Sequence, residues 1–143
     1  MTPPRAWIGA IRWAIYSSPK VAGEFGAKTA EEAPWVGFGD NLGSPTGKRW
    51  TERNISQRRQ VFRVNSVLSM AESIAAGAGA GVLPCFIGNG RPDLMRISEP
   101  IAELDVGLWI LTHPDLRHSA RVRAFTDYVG GELIKLRKVL EGG

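Results

Sequence analysis

Residues 61–84 read VFRVNSVLSMAESIAAGAGAGVLP, and the order of elements in this stretch decides the fold. Val61-Phe62-Arg63-Val64 is a β-branched and aromatic run that favours a strand. Asn65-Ser66 follows, and either side chain can accept a hydrogen bond from the first turn of a helix. Val67, Met70, Ala71, Ile74, Ala75 and Ala78 then recur at spacings of three and four, which predicts a helix with a buried stripe over 67–76. Gly77 stands where such a helix closes on a left-handed residue. Gly81-Val82-Leu83-Pro84 is a second short strand, followed by a single turn at Cys85-Phe86-Ile87 and a tighter one at Gly88-Asn89-Gly90.

The glycines at 77, 79 and 81 invite a phosphate-binding reading. That chemistry needs a strand before the glycines and a helix opening after them. Here the helix comes first. A helix cap with close backbone packing is the better account.

Outward from this stretch, strand and helix keep alternating. Ile11, Trp13 and Ile15 share one face at period two, and Ser18-Pro19 then reads as N-cap and first residue of a short helix. Trp35–Gly39 is a brief apolar piece. Residues 39–54, rich in Gly, Asn, Pro, Thr and charge, read as a long exposed loop pinned by Trp50. Leu94–Ile97 and Val106–Thr112 are strand candidates. Ser119 caps a closing helix with Val122, Phe125, Val129, Leu133, Leu136 and Leu140 on one face, and Gly130-Gly131 marks a possible bend. The pattern is that of an α/β domain with a partly parallel sheet, its strands near 11–16, 61–64 and 81–84 and its helices starting near Ser18, Ser66 and Ser119.

With 143 residues the chain is one domain able to hold its own core. One cysteine, Cys85, excludes an internal disulfide and suits a reducing compartment. No apolar run is long enough to span a membrane, and the first residues lack a secretory signal, so a cytoplasmic protein is expected. The formal charge is +4, gathered at Lys48–Arg63 and Arg117–Lys138. Those clusters suit a solvated surface and a helix's polar face better than a stacking platform for nucleic acid. Cys85, His113 and His118 make neither a metal site nor a catalytic set, and no Gly-x-Ser-x-Gly elbow occurs. No catalytic residue, metal or cofactor is expected.

In open α/β sheets ligands sit outside the carboxyl ends of strands, beside helix N-termini that carry free N–H groups. Ser17-Ser18 and Asn65-Ser66 both fit that description, and both also serve simply as caps.

The series Val64-Asn65-Ser66-Val67-Leu68, then Gly77–Gly81, then Val82-Leu83-Pro84, resembles the effector-binding module of LysR-type transcriptional regulators. Ile11–Pro19, Leu108–Leu116 and Arg121–Phe125 support the resemblance by their order across residues 11–129. It implies a periplasmic-binding-protein-like (type 2) fold of two hinged subdomains with a small-molecule effector, expected to be anionic, in the cleft between them. On this reading 1–143 is one partial effector-binding domain. Residues 11–105 are the second subdomain, and 106–143 are the return strand and closing helix of the first. The helix-turn-helix and the opening half of the first subdomain are missing, so no sequence-specific DNA binding is expected of this chain alone. The resemblance implies a ligand edge formed by Tyr16, Ser17, Phe38, Asn65 and Ser66, with Thr112 on the crossing strand. The apolar stripe of the closing helix then needs cover from its own sheet or from a second copy, and a homodimer is expected. The alternative is a stand-alone protein-association module derived from such a regulator.

Overall fold

The computed structural model describes residues 5–25, 33–39 and 45–143. The sequence's central stretch forms as read. β4 (Gln60–Val64) leads through Ser66 into α3 (Val67–Ala75), and β5 (Gly81–Pro84) follows. Ser66 caps α3, its Oγ accepting from the Ser69 N–H at 3.0 Å. Met70, Ala71 and Ile74 are its buried residues. Gly77 has φ +89°, so it ends the helix in the conformation only glycine adopts without strain. A Cβ on Gly81 would stand 2.8 Å from the Met70 sulfur and 2.9 Å from Ile74 Cδ1, which is why β5 can lie so close under α3. The glycine run is a cap and a packing device.

β5 is flanked by β2 (Trp13–Ser17), antiparallel, with Trp13 opposite Pro84 and Tyr16 opposite Gly81. β6 (Met95–Arg96) borders β2 on its other side. β3 (Trp35–Phe38) pairs with β4 in parallel and is tied to β5 at Trp35–Ala80, where the Val36 N–H donates to the Ala80 carbonyl and the Ala80 N–H to Pro34, each at 2.8 Å. The strand order is therefore β4–β3–β5–β2–β6, with β2 running against the rest. One apolar cluster, from Trp13 to Leu104, packs around this sheet. α1 (Pro19–Phe25) starts at Pro19 with the Ser18 Oγ accepting from the Val21 N–H, as the Ser-Pro signal implies. Cys85 opens α4 (Cys85–Gly88) and is fully buried.

Three readings need correction. Residues 45–54 are not loop but α2 (Pro45–Asn54), whose Gly47, Trp50 and Thr51 are buried and followed by buried Ile55. That spacing is helical, but the Gly, Pro and polar content hid it. Residues 40–44 of the expected loop lie outside the described residues. A strand was also missed: β1 (Arg5–Ile11) pairs antiparallel with β7 (Val106–Leu111), from Arg5–Leu111 to Ile11–Val106. The two form a ribbon standing off the main sheet. Finally, α5 (Ala120–Lys135) runs unbroken through Gly130-Gly131. The predicted stripe is only partly covered: Val122, Val129 and Leu133 are half-buried, whereas Phe125 is 67% exposed. A one-turn helix, α6 (Arg137–Leu140), follows and buries Leu140.

Candidate functional site

Strand direction settles which predicted residues can meet. β3, β4 and β5 are parallel, so Phe38, Val64 and Pro84 end at one edge of the sheet. β2 runs the other way, so Tyr16 and Ser17 lie at the opposite edge, beside Gly81 and Met95. The fold brings Phe38, Asn65 and Ser66 together and keeps Tyr16 and Ser17 away from them. Thr112 is elsewhere again. It follows β7 and lines a cavity of about 360 Å³ with Arg5, Trp7, Ile110, Thr126 and Asp127.

At the carboxyl edge, the Gly39 N–H donates to the Val64 carbonyl at 2.7 Å and binds the ends of β3 and β4 to each other. Phe38 is 2% exposed. Its ring packs on α2, where a Cβ at Gly47 would stand 3.1 Å away. Asn65 is exposed and Ser66 half-buried. Ser66 Oγ also donates to Ser69 Oγ at 2.9 Å. The first turn of a helix has no internal partner for its N–H groups. Ser66 satisfies that of Ser69, and the N–H groups of Val67 and Leu68 have no backbone partner among the described residues at the positive end of the helix dipole. Beside them opens a groove of about 750 Å³ lined by Gly39, Arg63, Val64, Asn65, Leu68 and Ser69. Glu72 also borders it, but its charge is engaged by Arg91. Arg91 in turn forks onto Asp93 through Nε at 2.9 Å and Nη2 at 2.7 Å, and those bonds hold the Asp93 carboxyl below the usual carboxylate range. The groove therefore keeps Arg63 as its uncompensated charge among the described lining residues. Trp13, paired with Pro84 at this same edge, is 8% exposed, and its indole N–H has no hydrogen-bond partner among the described residues.

Tyr16 has a different task. It is fully buried, its hydroxyl donates to Asn89 Oδ1 at 2.6 Å, and burial together with the Cys85 thiol pushes its pKa up, so it stays neutral. The Ser17 hydroxyl donates to the Ser18 carbonyl at 3.0 Å. Both side chains are structural pins of the first strand–helix connection. The signal that separates them from Asn65 and Ser66 is strand direction, which the local sequence around Ser17 does not carry. Arg63, read only as a strand residue from the sequence, is the addition the groove lining makes.

Ser66→Ala removes the cap and is expected to lower stability by about 1 kcal/mol. Chemical denaturation of the two proteins measures it; an unchanged midpoint would remove Ser66 from the helix start.

Among the described residues no helix is long and apolar enough to cross a membrane. The same arrangement of strands and helices is found in solved proteins. The AmpR effector binding domain from Citrobacter freundii superposes with TM-score 0.66 at 17% identity, over 92% of this chain and 68% of that one. CrgA, a LysR-type transcriptional regulator from Neisseria meningitidis, gives 0.70 at 17% identity, over 92% and 48%. Full-length LysG from Corynebacterium glutamicum with bound effector Arg gives 0.66 at 21% identity, over 92% and 47%. The chain thus spans about two-thirds of the solved effector-binding domain and about half of the full-length regulators. No curated protein sequence matches it. The family described as LysR substrate binding domain matches residues 20–133, with the ribbon, sheet order and closing helix in place around them, and the chain belongs to that family.

Proposed function

We propose that this chain is the receptor part of a LysR-type regulator and binds a small anionic effector at the carboxyl edge of β3, β4 and β5. The observation that carries the proposal is the start of α3, where two open N–H groups, Asn65 and Arg63 meet beside one groove. One matched regulator was solved with Arg as effector. An amino acid brings a carboxylate, the group a helix N-terminus and a guanidinium are suited to hold. We read residues 11–105 as the second subdomain and 106–143 as the return strand and closing helix of the first, with Arg5–Ile11 as the partner of that return strand. The module acts by binding, not by catalysis, in the cytoplasm, and it is a homodimer.

A thermal-shift screen of the chain against small carboxylates and amino acids tests the effector reading. A ligand at a hundred times its Kd should add about 2.7 kcal/mol. Arg63→Gln should weaken the hit at least tenfold while leaving the unliganded melting temperature in place, because Arg63 is exposed. No stabilising compound at millimolar concentration, or a hit indifferent to Arg63, would overturn the site.

The exposed apolar flank of the ribbon favours a second reading, a protein-association module. Under that reading the same screen is blank while the chain still self-associates.

A further inference from the structure

We infer that α6 and the turn after it, Arg137–Gly142, form a releasable clasp across the joint between the β1–β7 ribbon and the main sheet. The joint bends only when the main-sheet end of the clasp lets go. The joint is short. β1 ends at Ile11 and β2 begins at Trp13, in separate sheets, so Arg12 alone carries the chain across. The chain crosses back at Asp105, between buried Leu104 and β7. Arg12 Nε lies 3.9 Å from Asp105 Oδ2, so the two crossings run side by side. Trp13, the next residue, pairs with Pro84 at the carboxyl edge. The bend at Arg12 therefore sets how the ribbon stands over that edge.

Both backbone groups of Arg12 are held. Its carbonyl accepts from the Cys85 N–H at 2.8 Å, which fastens it to the first residue of α4 in the main body. Its N–H donates to the Leu140 carbonyl at 3.1 Å, at the end of α6. The clasp is itself fixed at both ends. On the ribbon, Arg137 Nε donates to the Ile8 carbonyl at 2.6 Å, and its guanidinium stands 5.2 Å from the Trp7 ring centroid. A Cβ on Gly9 would lie 3.2 Å from Arg137 Cγ, so the helix is seated directly on β1. On the main body, the Gly142 carbonyl accepts from Arg96 Nη1 at 3.3 Å and from Asn89 Nδ2 at 3.5 Å. One turn of chain thus ties ribbon, joint and main body together.

The two ends are unequal. The ribbon end has a short charge-assisted bond and a cation–π contact. The main-body end has two long bonds, outside the usual range of roughly 2.7–3.2 Å, and both come from exposed side chains that water can serve equally well. The main-body end is therefore the one that releases. Cys85 lies beneath it. Gly142 holds φ +90°, and a Cβ there would stand 3.3 Å from the Cys85 sulfur. The Cys85 side chain is fully buried, so labelling needs an opening, and Gly142 is what sits on the sulfur. As the only cysteine of the chain, Cys85 reports the clasp. The clasp works whether or not the groove beside α3 takes an effector.

Three probes followed across a urea series test this: Cys85 labelling by dithiobis-nitrobenzoate, and amide exchange at Arg12 and at Cys85. The amides of β5, inside the main sheet, report global unfolding. The expected result is one opening constant shared by the three probes, flat at low urea and at least a hundredfold above that of β5. Gly142→Ala, which meets a strained φ and the Cys85 sulfur, should raise that constant at least tenfold. Arg96→Gln, which only removes a bond, should raise it at least twofold. A thiol that opens no more readily than β5 would show no separate release and overturn the clasp, as would two variants without effect. A Cys85 amide as protected as β5, while the thiol and the Arg12 amide open, would mean that the clasp lifts with the joint shut. That result would overturn its hold on the bend.

Discussion

Gly79→Ala is expected to cost about 3 kcal/mol or more and to unfold the chain in a measurable fraction at room temperature. A Cβ at this position would stand 2.4 Å from the Pro34 carbonyl oxygen, 2.7 Å from its carbon and 3.1 Å from the Trp35 nitrogen, while the residue holds φ +159°. All three atoms are backbone and cannot swing aside as a side chain does. They belong to the bridge that joins β3 to β5, so relief would require pulling the parallel pair off the rest of the sheet. Overpacking of a core commonly costs 1–3 kcal/mol, and this case adds lost ladder bonds. A chain of this size has only about 5–15 kcal/mol in total. Gly131→Ala is the internal control. Nothing lies within 4 Å of its Cβ, and alanine in a helix gains up to about 1 kcal/mol over glycine. Urea midpoints of the two variants should move in opposite directions. A Gly79→Ala protein within 1 kcal/mol of the parent would mean that the β3–β5 junction does not hold the sheet together.

The contrast between α3 and α2 shows what was legible in the sequence. α3 announced itself because cap, periodicity and terminator agree locally: Ser66, the Met70–Ala71–Ile74 stripe, then Gly77. α2 carries Pro45 and Gly47 in its first turn and four charged residues, so propensity argues against it. It exists because Trp50 can pack, tilted by 38°, at 6.1 Å from Trp35 and because Gly47 admits the Phe38 ring, both tertiary facts. β1 was hidden for a similar reason. Its register shifts between Trp7 and Gly9, which breaks the alternation a strand pattern relies on. For the site, Asn65 and Ser66 could be picked out as residues after a strand and before a helix, but so could Ser17. Only the antiparallel direction of β2 separates them, and direction is a property of the whole sheet. Ser17 and Tyr16 therefore anchor the first strand–helix connection, at the edge opposite Asn65 and Ser66.

Phe38 is where the sheet's packing and the proposed site meet, and its two possible roles give different results. The residue ends β3, one position before the Gly39 N–H that ties β3 to β4. Its side chain is almost fully buried, and its ring lies against Gly47 of α2. Truncation to alanine should cost about 3–5 kcal/mol, as for other buried aromatic side chains, and should loosen α2 first. Phe38→Leu keeps most of the volume and is expected to cost about 1.5 kcal/mol or less. If Phe38 only supports the edge, Phe38→Leu will bind an effector found by thermal shift with unchanged affinity, whereas Arg63→Gln will not. Calorimetric titration of both variants, well below their melting temperatures, makes the comparison. A tenfold loss in Phe38→Leu with stability retained would place the ring in direct contact with the effector. The ligand would then reach inward past Gly39 to the β3 terminus, and the α3 N-terminus would be one wall of the site instead of its centre.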